Sequence, residues 1–366
     1  FELSNKVKDL NVSIGEYRLK IEMIGTFEIT YSNKTPKVTC ELSFSDMYDI
    51  NALVVWDETN VQISYVDLFD EFVEKEFNIV NIVETFDTRN QKIISLELQD
   101  IFSYKIEKCI TPKGFKGNIV SAFEDYIEFL GLTEYPKEFE SFDAEIEFCV
   151  PGNCNHLKWL MFELSKYGLL LYQNKEKVFL KHIDNLVPST FPEQSDKFVT
   201  TTNNKLYQNI IHDVIPSYIN RNKTPIITRA MAFDPLTKKM VYSTDSDKIN
   251  CKDELLINND NTDYQDNTGF IDVYQTHLDF NETRNKNRES FINTNEMIIV
   301  VNGYKKNDIN QIYNILIHGH KGSVESYADA NLIVNGKWVS TKVVDKVVGD
   351  SLLQKITLQR ADMVKK

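Results

Sequence analysis

The sequence predicts a mainly β protein with α+β parts: two small barrels, a small α/β domain and a loop-rich insertion. Three observations carry this. Short runs of alternating apolar and polar residues fill the first hundred positions, as half-buried antiparallel strands require. The period turns helical from Cys109 to about Val187, and alternation then returns. One strand–turn–strand pattern also occurs twice, at Lys75–Asp100 and at Asn335–Asp362.

In chain order, "EYRLKIEMI", "TFEITYS", "KVTCELSFS", "NALVVW" and "NVQISYVD" are the expected strands of residues 1–108, closed by the Lys75–Leu98 pair. Ile119, Phe123, Tyr126, Ile127 and Leu130 follow helical spacing and stop at Gly131. A second helix is capped by Asn155, buries Leu157, Leu160, Met161 and Leu164, and ends at Gly168. A hairpin follows, "LLLYQ" then "KVFLKHI", turning at Asn174–Glu176, and completes an α/β domain at 109–187. Trp159, Phe162 and Tyr167 are expected on or beside the core stripe. "PSTFPEQSDKF" reads as a linker. The second barrel is expected from 188–248 and 291–366, with strands at "LYQNIIHDVI", "PIITRAMAFD", "KKMVYSTDS", "EMIIVVNGY" and "QIYNILIHGH". The insertion, 249–290, contains polar "NNDNTDYQDNTG" and runs into a weak helical pattern from Asp272.

The repeat aligns Phe77 with Trp338, Ile82-Val83 with Val343-Val344, and Glu84 with Asp345. Its ends align "ISLELQD" with "ITLQRAD", so Leu98 answers to Arg360. Both copies follow a similar strand, "VQISYVD" and "YNILIHG". The expectation is two hairpins in the related sheets of two separate barrels; chance alternation is the competing explanation.

Composition narrows function. A net charge of −13 opposes a sequence-reading nucleic-acid binder, which needs a basic face. No apolar run approaches the length of a membrane span, and no signal-like segment opens the chain. The chain begins at Phe1 rather than Met, so a few preceding residues are expected to be missing. Five scattered cysteines (Cys40, Cys109, Cys149, Cys154, Cys251) suit reduced, mostly buried thiols.

No catalytic, cofactor-binding or metal-binding residue is assigned, and no cofactor is expected. Cys149, Cys154 and His156 in "CVPGNCNH" supply three ligands where zinc takes four, so a strand end, turn and helix cap is the expected reading. His318 and His320 share a strand face without a third ligand. Glu138 and Glu140 lack the cleft that would split their pKa values, so a solvated acidic face is expected. No phosphate loop, dinucleotide glycine pattern or nucleophile elbow occurs.

Three stretches carry a resemblance. "ITPKGFKGNIVSAFEDYIEFLGL" (Ile110–Leu132) is one, and Ala144–Leu186, with its Pro turn, aliphatic helix and aromatic hairpin, is another. The third is "EMIIVVNGYKKNDINQIYNILIHGH" with the closing "GKWVSTKVVDKVVGDSLLQKITLQRAD". In this order they resemble the baseplate hub proteins of contractile phage tails, related to the hub segment of type VI secretion spikes. Cys251–Ser290 matches least.

The resemblance implies a non-enzymatic structural protein of the virion tail baseplate, assembled in the host cytoplasm. It implies a homotrimer in which each chain gives two tube-like β-barrels, adapting a sixfold tail tube above to a threefold spike below. Other baseplate proteins would be neighbours, and DNA would pass through the channel without sequence-specific binding. The alternatives are the hub of a phage-derived injection or type VI-like device, a carbohydrate- or receptor-binding β protein, or an unrecognised tail hydrolase. An acidic lumen, with most Lys facing outward, is expected if the ring conducts DNA.

Overall fold

The computed structural model describes residues 6–54, 56, 59–68, 70–185, 197–199, 211–215, 226–242, 269–275, 280, 283, 295–303, 306–316 and 336–360. The linker "PSTFPEQSDKF" (except its last two residues), His318, His320 and Cys251 lie outside them.

The protein is mainly β with α+β parts. The first half supplies β1 (Lys8–Ile14), the two-residue β2 (Tyr17–Arg18), β3 (Ile24–Ser32), β4 (Thr39–Ser45), β5 (Asn60–Val66), β6 (Phe72–Phe86) and β7 (Lys92–Asp100). Alternation placed most of these. The start of "NALVVW" instead belongs to the one-turn α1 (Ile50–Leu53), because the Asp46 carboxylate accepts from the Ile50 N–H (2.7 Å) and the Asn51 N–H (3.2 Å).

The helical middle begins earlier than expected. The buried Asp100 carboxylate caps α2 (Ile101–Lys108), accepting from the Ser103 N–H at 2.9 Å. Phe102 and Ile106 of α2 pack in the core of the small α/β unit, not in that of the strands before it. There follow β8 (Lys113–Asn118), α3 (Ile119–Phe129), β9 (Lys137–Phe139), β10 (Glu145–Val150), α4 (His156–Lys166), β11 (Leu169–Gln173) and β12 (Val178–His182). Asn155 caps α4 by accepting from the Lys158 N–H at 3.1 Å. Gly131 and Gly168 end α3 and the α4 turn with φ of 67° and 72°, where a side chain would be strained. Leu157, Leu160 and Leu164 are buried and Met161 packs against them, whereas Trp159 and Phe162 lie exposed on the outer face of α4. Core placement for those two aromatics is therefore corrected; Tyr167 does pack against the core.

The last part supplies β13 (Lys197–Val199), β14 (Ile211–Ile215), β15 (Ile226–Asp234), β16 (Lys239–Tyr242), β17 (Gly269–Gln275), β18 (Asn295–Asn302), β19 (Ile312–Leu316), β20 (Gly336–Val348) and β21 (Ser351–Arg360). β16, β15 and β17 form a sheet of their own, with β17 parallel to β15 over seven residue pairs. So the strands expected in the second barrel at 226–242 pair instead with part of the expected insertion. The weak helical pattern opens as strand, because Asp272–Gln275 belong to that parallel ladder; most of its remainder lies outside the described residues.

Thirteen strands share one sheet, in the order β14-β18-β21-β20-β3-β4-β7-β6-β5-β1-β2, with β19 and β13 branching from β20. The two repeated hairpins, β6–β7 and β20–β21, therefore lie in one continuous sheet. The expectation of separate sheets is corrected. The reason is local: β20 is long enough to pair with β19 through Gly336–Val339 and, past a bulge, with β3 through Lys342–Val348.

A repeat is nonetheless present in the strand order. Counted along the chain, the halves are β1, β3, β4, β5, β6, β7 and β13, β14, β18, β19, β20, β21. Each half pairs first–fourth–fifth–sixth–third–second. Only the first–fourth pairing differs in sense, antiparallel in one half and parallel in the other. The bulges match as well. Ile79/Asn81 in the fifth strand answers to Ser340/Lys342, and Ile24/Thr26 in the second strand answers to Ile211/Asp213.

Candidate functional site: the edge of β6 and the joint behind β20

In the α/β unit, hairpin β11–β12 is a shared wall. Leu169, Leu171, Val178 and Leu180 face α3 and α4, while Tyr172 and Phe179 face the large sheet. At its turn, Lys175 enters that sheet and is itself buried. Its Nζ lies 2.9 and 2.8 Å from the two carboxylate oxygens of buried Asp345 on β20. Gln354 donates to Asp345 at 2.6 Å and the Tyr65 hydroxyl donates at 3.2 Å. A buried charge is tolerated only when so surrounded. Nearby, Asp308 is pushed up to about 6 by burial, opposed by Lys175. A second anchor joins the same hairpin to β7: Gln173 donates to Asp100 at 2.6 Å.

The distal part of β6 is different. Phe72–Asn78 pair with β5, but past the bulge at Val80 the segment Asn81–Phe86 pairs only with β7 among the described residues. In β20 the matching segment has a strand on both edges, β21 and β3. Burial follows pairing. Val343 and Val347 are fully buried, whereas Ile82, which answers to Val343, is partly buried and Phe86, which answers to Val347, is 65 % exposed. Val80 (52 %) and Val83 (44 %) are exposed on the same strand. The segment before α1 and α1 itself add exposed Met47, Tyr48 and Leu53, tied to the strand by an Asn51–Glu84 hydrogen bond of 2.7 Å. Exposed apolar side chains along an unpaired strand edge suit a contact with another polypeptide.

The residues weighed for chemistry do not assemble. Cys149 is exposed on β10, Cys154 Sγ lies 2.9 Å from the Pro151 carbonyl, and His156 is buried with Nδ1 2.8 Å from the Tyr126 hydroxyl. Burial pushes the His156 pKa down. Among the described residues no group of three His, Cys, Asp or Glu could hold a metal ion. Hydrogen bonds from Lys177 and Lys181 pull Glu138 below the usual carboxylate range. Glu140 accepts from the His182 N–H at 3.1 Å and from Asn185. No helix among the described residues is long and apolar enough to cross a membrane. Sequence reasoning missed Lys175, Asp345 and the β6 edge; the alignment of Glu84 with Asp345 was the available signal.

No protein-family description matches the sequence, and no curated protein does. Solved structures match over nearly the whole chain. A tail protein from Neisseria meningitidis superimposes with a TM-score of 0.62 at 8 % identity, covering 96 % of each chain. A 43 kDa tail protein of a Shewanella oneidensis prophage does so at 0.60 and 10 %, covering 96 % of this chain and 98 % of its own. An E. coli component of the type VI secretion system, described as similar to T4 bacteriophage tail proteins, gives 0.51 at 9 %, covering 98 % and 76 %. The chain has the fold that these phage tail proteins and this type VI secretion component share.

Proposed function

We propose that this chain is the structural hub of a contractile phage tail baseplate, and not an enzyme. Three copies form a ring that adapts a sixfold tail tube to a threefold central spike, leaving a channel for DNA. The observation that carries this is the repeated six-strand order. A chain with two equivalent modules gives six modules in a trimer, so one face repeats six times while the chain itself repeats three times. The modules are the strands up to Asp100 and the strands from Lys197 onward; the α/β unit from Ile101 to Asn185 is their brace, and the β15–β17 sheet is an insertion between the second and third strands of the second module.

The tail-protein likeness supports this reading. The likeness to the E. coli type VI component supports a second setting for the same part, a phage-derived secretion device. Mass measurement of the purified native protein tests the hub: three chain masses are expected, alone or with its spike. A monomer or an even-numbered assembly under both conditions contradicts it. Neighbouring genes for tube, sheath and spike separate a phage from a secretion device.

A further inference from the structure

We infer that the open edge of β6, Asn81–Phe86, receives strand β14 of a second copy of this chain, in the register by which β20 receives β3. The copy number rests on the ring reading above; the contact itself rests on the fold. Among the described residues one strand ladder joins the halves of a chain, the fifth strand of the second module with the second strand of the first, beside an isolated Lys6–Ser351 bridge. The fifth strand of the first module, β6, has the same bulge and six residues beyond it against seven in β20, with no second strand beside those six among the described residues. The second strand of the second module, β14, has its own matching bulge and ends the sheet, paired only with β18 among the described residues. The used contact thus has an unused twin, whose two sides lie at separate places in the chain. A head-to-tail contact of this kind gives a closed ring when its rotation closes, as the ring reading requires, and an open filament otherwise.

The edge is built for pairing rather than guarded against it. Asn81–Phe86 reads N-I-V-E-T-F, with no Lys or Pro, and its one charge, Glu84, is engaged by Asn51 and Lys92 of the same chain. Phe86 is exposed where Val347, its counterpart beside β3, is fully buried. Counting from the bulges fixes the register. Val347 faces Phe27 and Lys346 faces Glu28, so Phe86 faces Val214 and Thr85 faces Ile215 of the neighbouring copy.

Disulfide trapping tests this on the full chain, because facing residues of paired antiparallel strands lie within bridging distance. Thr85→Cys with Ile215→Cys should, on mild oxidation of the native protein, give covalent species ending at a closed trimer, while each single variant gives none. Glu28→Cys with Lys346→Cys is the internal control: it should consume two thiols without a change in mass. A trimer in solution whose control pair closes while the test pair does not overturns the contact and leaves the hub reading intact. A Thr85–Ile215 bond within one chain overturns the contact too, and a monomer that never cross-links overturns both. Hydrogen exchange on the unaltered protein covers a variant that fails to fold. Amides of Asn81–Phe86 and Ile211–Ile215 should slow about tenfold or more on assembly, and unchanged rates in the assembled protein contradict the pairing.

Discussion

Lys175 and Asp345 form a buried ion pair between a hairpin turn and a central strand, with side chains 1 % and 0 % exposed. Lys175→Met leaves the Asp345 carboxylate buried beside only Gln354 and Tyr65, and should cost about 3–5 kcal/mol by denaturant unfolding. Lys175→Met with Asp345→Asn should cost less than the sum of the two single changes; strict additivity would show that the pair is not coupled. Asp308 gives a pH signature. Its folded pKa of about 6 lies above the unfolded value, so its contribution is fully present below about pH 4 and is lost as pH rises through 6. The effect is at most on the order of 3 kcal/mol. Asp308→Asn should therefore be more stable, relative to the parent, at pH 7 than at pH 4, and parallel stability curves would contradict the assignment. Of these residues only Asp345 was marked in the sequence, by its alignment with Glu84, and nothing there pointed to its partner. Lys175 sits in a polar turn, and only the tertiary contact with β20 buries it.

Elements with complete local signals were legible and those set by distant contacts were not. Helix α4 carried its cap, its stripe and its terminal glycine within the single stretch Asn155–Gly168. Asn155→Ala should thus lower stability by about 1 kcal/mol in thermal or denaturant unfolding, and no loss would show that the cap is spare. Helix α2 was hidden because its cap, Asp100, also ends a good strand pattern. The repeat was legible in β6 and β20 residue by residue: Phe77 faces Val61 where Trp338 faces Tyr313. In the partner strands the alignment slipped by two. Leu98 lies opposite Ile79, and the residue opposite the matching Ser340 is Leu358, not Arg360. A shift of two keeps every side chain on its face, so alternation cannot detect it. Turn length decides it, five residues (87–91) against the two of Gly349-Asp350. Alternation also says nothing about which strand edge stays open, so the β6 edge needed the pairing pattern.

At the scale of the whole molecule, charge and symmetry make separate claims. Three chains at −13 put about forty negative charges on one ring. Basic walls would hold DNA phosphates, whereas an acidic lining lets a duplex slide, with the field screened over roughly 8 Å at physiological salt. The lumen is therefore expected to carry more Asp and Glu than Lys and Arg, and a structure of the assembled ring with a mainly basic lumen would rule the sliding argument out. Symmetry is the central claim, that each chain supplies two equivalent modules to a ring of six. Electron microscopy of the assembled protein viewed along its axis tests it most directly. A ring of threefold symmetry is expected, with six closely similar β densities around one channel, joined within chains in three neighbouring pairs. A particle with three or fewer such densities, or with the two modules of a chain at different radii, would contradict it.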